Sequence, residues 1–246
     1  MAFIRLDKLL SAAAECSRAD AKKLLSSGAV TIDGKTVKQA STKLDTGTQT
    51  VCVNGKKLVY REHSYIVMNK PLGIVSSTDD HDGETVLDIL PPELLRRNLF
   101  PAGRLDKYSC GMMIITDDGD FSHRILAPKK HLPKIYEFKL DAPILTNELC
   151  ELFKKGVYLG GGEYSSPAYL KIISPDEGRV MIFEGIYHQV RRMFDQNGGK
   201  VIHLKRVQIG GLPLPLDLSE GESREMTEAE LEQLFLLPEN IDENYL

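Results

Sequence analysis

A chain of 246 residues, 42% apolar and 27% charged, is long enough for one large domain or two unequal ones and has the make-up of a core-forming protein, not a disordered one. Its net charge of −4 argues against an indiscriminate nucleic-acid binder, but the average hides an asymmetry. Residues 1–60 hold ten of the 31 basic and five of the 35 acidic side chains, a net +5 against −9 for the remainder, as expected of a basic module attached to a larger body. The four cysteines, Cys16, Cys52, Cys110 and Cys150, form no CxxC pair, which excludes the usual zinc and disulfide frameworks and leaves reduced, cytoplasmic thiols as the expectation. Arg5, Asp7 and Lys8 interrupt the start before any signal-peptide core, and no stretch reaches the ~18 apolar residues of a membrane span. A soluble protein without a membrane partner is expected.

Leu6, Leu9, Leu10 and Ala13 recur at three- and four-residue spacing and predict a short helix. SRAD, from Ser17, has a capping pattern that opens a second helix, and Gly28 supplies its stop. VTIDGKTV and VCVNGKKLV each join β-branched runs through Asp-Gly or Asn-Gly, the signature of a two-residue hairpin turn. The polar segment YREHS, 60–64, then precedes a new strand, YIVMNKP, so the domains are expected at 1–60 and 61–246.

Strands dominate the second part. GMMIITDDG reads as one continuous apolar strand. KIYEFKL is expected to set Tyr136, Phe138 and Leu140 on one face and Lys134, Glu137 and Lys139 elsewhere, and RVMIFEG follows as another strand. YHQVRRMFDQNGG predicts a helix with Val190, Met193 and Phe194 inward, and TEAELEQLF a last helix with Thr227 and Glu230 as a capping box. The fold class expected is α+β, with a mixed, largely antiparallel sheet flanked by helices.

In the basic module Arg18 and Lys22 share a helix face with Lys23 adjacent, and Arg5 and Lys8 are placed on the preceding helix. Such a cluster is either a solvated face or a surface that gains affinity by displacing counterions from phosphates. The order RLDKLL, SRADAKKLLSSGAVTIDGKTV resembles the S4 RNA-binding domain across nearly all of the first 60 residues, and the resemblance implies structured RNA as partner.

The stretch PAGRLDKYSCGMMIITDDGD sets a lone carboxylate, Asp106, between Arg104 and Lys107 before an apolar strand. Read alone, such an acid is more often a turn or cap residue. Pro101 and Gly103 give it a tight approach, the strand behind it is a rigid support, and Arg104 is expected to hold it ionised, which suits a nucleophile. Tyr136 read alone is a half-buried sheet tyrosine. Arg191 read alone is a surface partner of Asp195.

Four separated motifs alter those readings. GRLDKYSCGMMIITDDG, KIYEF, EGIYHQVRRMF and VIHLKRVQIGGLPL, with MNKPLGIVSSTDD before them, resemble in content and order the RsuA-type pseudouridine synthases, a family that acts on ribosomal RNA. The resemblance implies that Asp106 is the nucleophile, that Tyr136 packs against the target uracil, and that Arg191 pairs with Asp106, with Arg192 as the alternative. It implies further contacts with RNA at Arg104, Lys134 and Leu204, and positioning by His188 and Gln189. The implied reaction breaks the N1–C1′ bond of a uridine, turns the base and joins C5 to C1′, with no cofactor. The uridine would be flipped from its stack and would recover stacking on Tyr136. SSTDDHDGETVLDIL and the short C-terminus resemble most the enzymes of small-subunit ribosomal RNA, with large-subunit RNA second. The expected partner is ribosomal RNA or an assembling subunit, met by a monomer.

Two rivals remain open on the sequence: an idle RNA-binding or ribosome-assembly protein, and a metal-dependent nuclease at Asp117 and Asp118. STDDHDGE lacks the register of a calcium loop, and GVYLGGGEY lacks the Gly-Lys-Ser/Thr of a phosphate loop, so both read as connections.

Overall fold

The apolar spacing of Leu6, Leu9 and Leu10 becomes the buried face of helix α1 (Leu6–Ala13) in the computed structural model. The structure describes all residues except 1–2, 14–16, 59–61, 80, 82 and 128–131, and the side chains of 12, 13 and 18 are also outside the description. Part of the YREHS boundary therefore lies outside the described residues. The chain divides into two units, Met1–Glu62 and His63–Leu246.

In the first unit Arg5 closes a strand, β1 (Phe3–Arg5), and does not lie on the helix as expected. The amides of Leu6 and Asp7 bond the carbonyls of Thr42 and Ala40, so helical bonding begins only after Arg5. Ser17 caps α2 (Arg18–Ser26) by accepting the Asp20 amide at 3.2 Å. Asp33-Gly34 and Asn54-Gly55 have φ of 48°, 79° and 51°, 78°, the left-handed pair that a type I′ turn requires. They join β2 (Val30–Ile32) to β3 (Lys35–Thr36) and β5 (Val51–Val53) to β6 (Lys56–Lys57) in a sheet of order β3-β2-β5-β6; β4 (Lys43–Asp45) pairs with β1.

The second unit is built on a nine-stranded sheet. Its elements are β7 (Tyr65–Lys70), β8 (Phe100–Pro101), β9 (Cys110–Thr116), α3 (Gly119–Leu126), β10 (Lys134–Leu140) and α4 (Asn147–Phe153). A small separate hairpin, β11 (Tyr158–Gly160) and β12 (Glu163–Tyr164), follows. After it come β13 (Tyr169–Ile172), β14 (Glu177–Ile182), α5 (Gln189–Asp195), β15 (Val201–Ile209), β16 (Leu212–Pro213), β17 (Ser223–Glu225) and α6 (Glu228–Phe235). The sheet order is β13-β14-β10-β15-β9-β7-β17, with β16 on β15 and β8 on β9. Every pairing is antiparallel except β9 with β15, which makes the sheet mixed.

Both faces of this sheet are covered, which is why GMMIIT is apolar without alternation. Met68, Met113 and Phe138 pack with Phe153 of α4 and Phe194 of α5 in one cluster, and Val67, Met112 and Ile114 pack with Phe121 of α3 and Leu234 of α6 in another. Helices α3 and α4 were not expected from the sequence. TDDG looked like the tail of a strand, yet Asp118 turns the chain by accepting the Phe121 amide at 3.0 Å as an N-cap. The last helix carries the expected capping box between Thr227 and Glu230. Among the described residues no helix is long and apolar enough to cross a membrane.

Residues Lys70, Gly111, Arg206 and Tyr136 are mutual partners across four adjacent strands, β7, β9, β15 and β10. Gly111 has φ 100°, and an added Cβ would collide with the Arg206 carbonyl oxygen. Gly111→Ala is therefore expected to lower the unfolding free energy by about 3 kcal/mol or more, read from the urea midpoint, because it combines backbone strain with overpacking. An unchanged midpoint would show that β9 and β15 relax apart without cost.

Candidate active site

Asp106 lies in the connection between β8 and β9, and its backbone is fixed on either side. The buried Ser76 hydroxyl donates to the Leu105 carbonyl at 2.8 Å and accepts the Leu105 amide at 3.0 Å, a two-point clamp on the preceding residue. Leu105 itself is buried in the core, and the Ser109 amide bonds the Asp106 carbonyl at 3.0 Å. The carboxylate itself is left partly exposed.

Two groups from the segment ahead of and along α5 meet that carboxylate. His188 Nε2 stands 3.3 Å from one oxygen and Arg191 Nε 3.8 Å from the other. The second distance is an ion pair and is too long for a hydrogen bond. Arg191 is held there by backbone: it donates to the carbonyls of Val201 at 2.8 Å and Tyr108 at 2.7 Å, and to the Ser109 hydroxyl at 3.3 Å. No pairing with Asp195 is present. The helix expected from Tyr187 starts at Gln189, with His188 in the left-handed conformation at φ 52° as its cap. Gln189 is buried and works inside the turn, accepting the Ile186 amide at 3.2 Å and donating to Glu184 at 2.7 Å.

Four placements correct the expectations. The exposed Arg104 makes no ion pair with Asp106; that place is filled by Arg191 and His188, and Arg104 contributes its carbonyl to Arg206 instead. Arg192 points to the β11–β12 hairpin, where the Leu159 and Gly160 carbonyls and the Glu163 carboxylate take up its donors. Leu204, opposite Phe138 in the sheet, is buried in the core cluster that also contains Tyr136. Lys134 lies on the Tyr136 face, since residues two apart on a strand share a face, and it is 8% exposed with its ammonium on the Leu132 carbonyl at 3.2 Å.

In the first unit Lys8, Lys22 and Lys23 are exposed, while Arg5 is engaged by Asp7 at 2.7 Å and Lys23 lies 3.5 Å from Asp20. The Arg18 side chain lies outside the described residues.

The sequence reading missed Lys70, Ser76 and Arg206. Arg206, 3% exposed, faces Tyr136 across β15 and β10 and donates to the Met112 carbonyl at 2.7 Å and the Arg104 carbonyl at 3.5 Å. It thereby links the tyrosine strand to the loop that carries Asp106. Lys70, fully buried, donates to the carbonyls of Pro71 at 2.9 Å and Ser109 at 2.8 Å. The signal was available in part: a cation at the end of a buried run, as in YIVMNKP, either coordinates backbone carbonyls or has no solvent to face. The acids of the nuclease reading are otherwise employed. Asp117 accepts the Ser64 amide at 2.8 Å, Asp118 accepts the Tyr65 hydroxyl at 2.7 Å, and among the described residues no group of His, Cys, Asp or Glu is placed to hold a metal ion.

Comparisons with known proteins show the family of the chain. The family model described as RNA pseudouridylate synthase matches residues 64–196, and that of the S4 domain residues 4–50. The chain therefore belongs to the RNA pseudouridylate synthases, a family of isomerases, and carries an S4 domain ahead of the catalytic one. Among its relatives, an uncharacterized RNA pseudouridine synthase of Bacillus subtilis is 44% identical over 94% of this chain and 98% of its own. The ribosomal small subunit pseudouridine synthase A of Escherichia coli is 41% identical over 93% of this chain and 98% of its own. A crystal structure of a pseudouridylate synthase superposes with a TM-score of 0.65 at 35% identity, covering 94% of this chain and 99% of that one.

Burial pushes the pKa of the Lys134 ammonium down to about 8, and the nearby Arg206 charge pushes the same way against a smaller pull from Glu184. Unfolded, the same lysine titrates near ~10.4, so between these values the unfolded chain binds the extra proton and stability rises with pH. Below pH 8 the full cost of burying the charge is present. The unfolding free energy of the native sequence is expected to gain on that of Lys134→Met by up to about 1.4 kcal/mol per pH unit across this window, measured by urea denaturation. A pH-independent difference would show that the ammonium is solvated.

Proposed function

We propose that this protein isomerises one uridine of ribosomal RNA to pseudouridine, with small-subunit RNA as the substrate and Asp106 as the nucleophile. The observation that carries the reading is a single carboxylate, clamped from behind through Leu105 and faced by Arg191 and His188, in a loop that is tied through the Arg104 carbonyl to Arg206, the sheet partner of Tyr136. The choice of small-subunit RNA rests on end-to-end similarity to the Escherichia coli enzyme named for it.

The S4 unit supplies the docking. Exposed Lys8, Lys22 and Lys23 reach phosphates and release counterions, an affinity that is indifferent to sequence. Specificity then arises where one uridine leaves its stack, at a cost of a few kcal/mol, and packs its uracil against Tyr136, which returns about 1 to 3 kcal/mol. In the isomerisation the N1–C1′ bond breaks, the base turns with Asp106 beside it, and C5 bonds to C1′. The proton displaced from C5 departs and N1 gains one, so atoms balance without redox chemistry. Arg191 sets the position of the carboxylate while its own position is set by the Val201 and Tyr108 carbonyls.

The test uses transcripts of small- and large-subunit ribosomal RNA with tritium at uridine C5. Release of tritium from the small-subunit transcript is expected, falling to background in Asp106→Asn. Release only from the large-subunit transcript would transfer the substrate, and unchanged release in Asp106→Asn would remove the nucleophile. Arg191→Met is expected to lower kcat by about 10²-fold with KM little altered, because a carboxylate displaced by ~1 Å loses that much.

A further inference from the structure

Two tyrosines adjoin residues of the site and leave their rings in solvent: Tyr108, two residues after Asp106, and Tyr187, next to His188. Tyr187 is 75% exposed and Tyr108 71%, although the backbone of each is held by an arginine of α5. The Tyr108 carbonyl accepts from Arg191 at 2.7 Å, and the Tyr187 carbonyl accepts from Arg192 at 3.3 Å. Tyr187 also stacks flat on His188, with ring centroids 3.9 Å apart and planes 15° from parallel. His188 in turn stands 3.3 Å from Asp106 and occupies the left-handed conformation, which a residue other than glycine adopts at a cost. The chain thus spends backbone strain to hold an aromatic pair against the carboxylate, with one face of the outer ring open.

Resting on the proposed isomerase reading, we infer that the Tyr187–His188 stack is a platform for an unpaired nucleobase next to the flipped uridine. Removing a uridine from its stack leaves a neighbouring base with an exposed π-face, and a flat ring beside the cleft replaces the partner that base has lost. A nucleobase is the occupant whose flat π-face matches an exposed ring already stacked on another, and the tyrosine ring itself carries no cation to hold a phosphate. Stacking is also tolerant of sequence and little affected by salt, which complements the phosphate contacts of the S4 unit. The Tyr108 ring is equally exposed, but among the described residues no ring partner fixes it.

The chain contains no tryptophan, so Tyr187→Trp introduces a single fluorophore at the platform. In an Asp106→Asn background, where no turnover is needed, oligouridylate is expected to quench this fluorescence, and an abasic ribose-phosphate strand of equal length is not. Equal quenching by both strands, or none by either, would overturn the platform. In the otherwise native enzyme, Tyr187→Ala is expected to raise KM for tritium release by about 5- to 100-fold with kcat retained, and Tyr187→Phe to restore it. A KM for Tyr187→Ala equal to that of the native enzyme would also overturn it. Absence of tritium release from the native enzyme, with base-dependent quenching intact, would count against the isomerase reading and leave the platform standing.

Discussion

One carboxylate held against an arginine and a histidine that arrive from a distant part of the chain is the constraint around which the larger unit is arranged. Asp106 cannot be placed by its own loop alone, since a side chain on a turn samples several rotamers. Its neighbour Leu105 is therefore anchored in the core and gripped at both backbone groups by Ser76. The opposing Arg191 is immobilised by two backbone carbonyls, which hold its guanidinium near the acid without consuming the acid's own acceptors. An arginine free to form a bidentate pair with Asp106 would tie up both oxygens. At 3.8 Å the pair orients the carboxylate and leaves it open to a substrate.

The sheet beneath carries the cost of that arrangement. Lys70, Lys134 and Arg206 are buried cations, and each directs its donors at backbone carbonyls. Burial pushes the pKa of Lys70 down to about 8; the Cys110 thiol and the Asp106 carboxylate oppose that shift and Arg206 adds to it. A guanidinium is the suitable group at the centre of the row, because its planar fork reaches Met112 and Arg104 together while it stays charged. Gly111 makes the row possible. With no side chain it lets β15 approach β9 closely at the one parallel pairing of the sheet, beside the loop that bears the acid.

Affinity and chemistry are divided between units of opposite charge. The basic S4 unit presents exposed lysines, whereas the larger unit is acidic overall and leaves the rings of Tyr108 and Tyr187 in solvent. Such a division suits an enzyme whose substrate is a polyanion.

Local sequence determined the elements whose causes are local: the Ser17 cap, the Asp33-Gly34 and Asn54-Gly55 turns, the Thr227–Glu230 box and the apolar run of β9. The family motifs also singled out Asp106, Tyr136 and Arg191, since residue type and order are preserved in the chain itself. Tertiary structure decided where each of the three arginines goes. Arg104, Arg191 and Arg192 are equally charged, and only the packing of α5 against β15 and β11 directs one to Asp106, one to a hairpin and one to solvent. It likewise turned Lys134 inward, converted TDDG from a strand end into a helix cap and brought Lys70 and Arg206 under the site. These outcomes depend on which carbonyls and carboxylates lie within hydrogen-bond reach after strands from distant positions pair, and no local pattern records that.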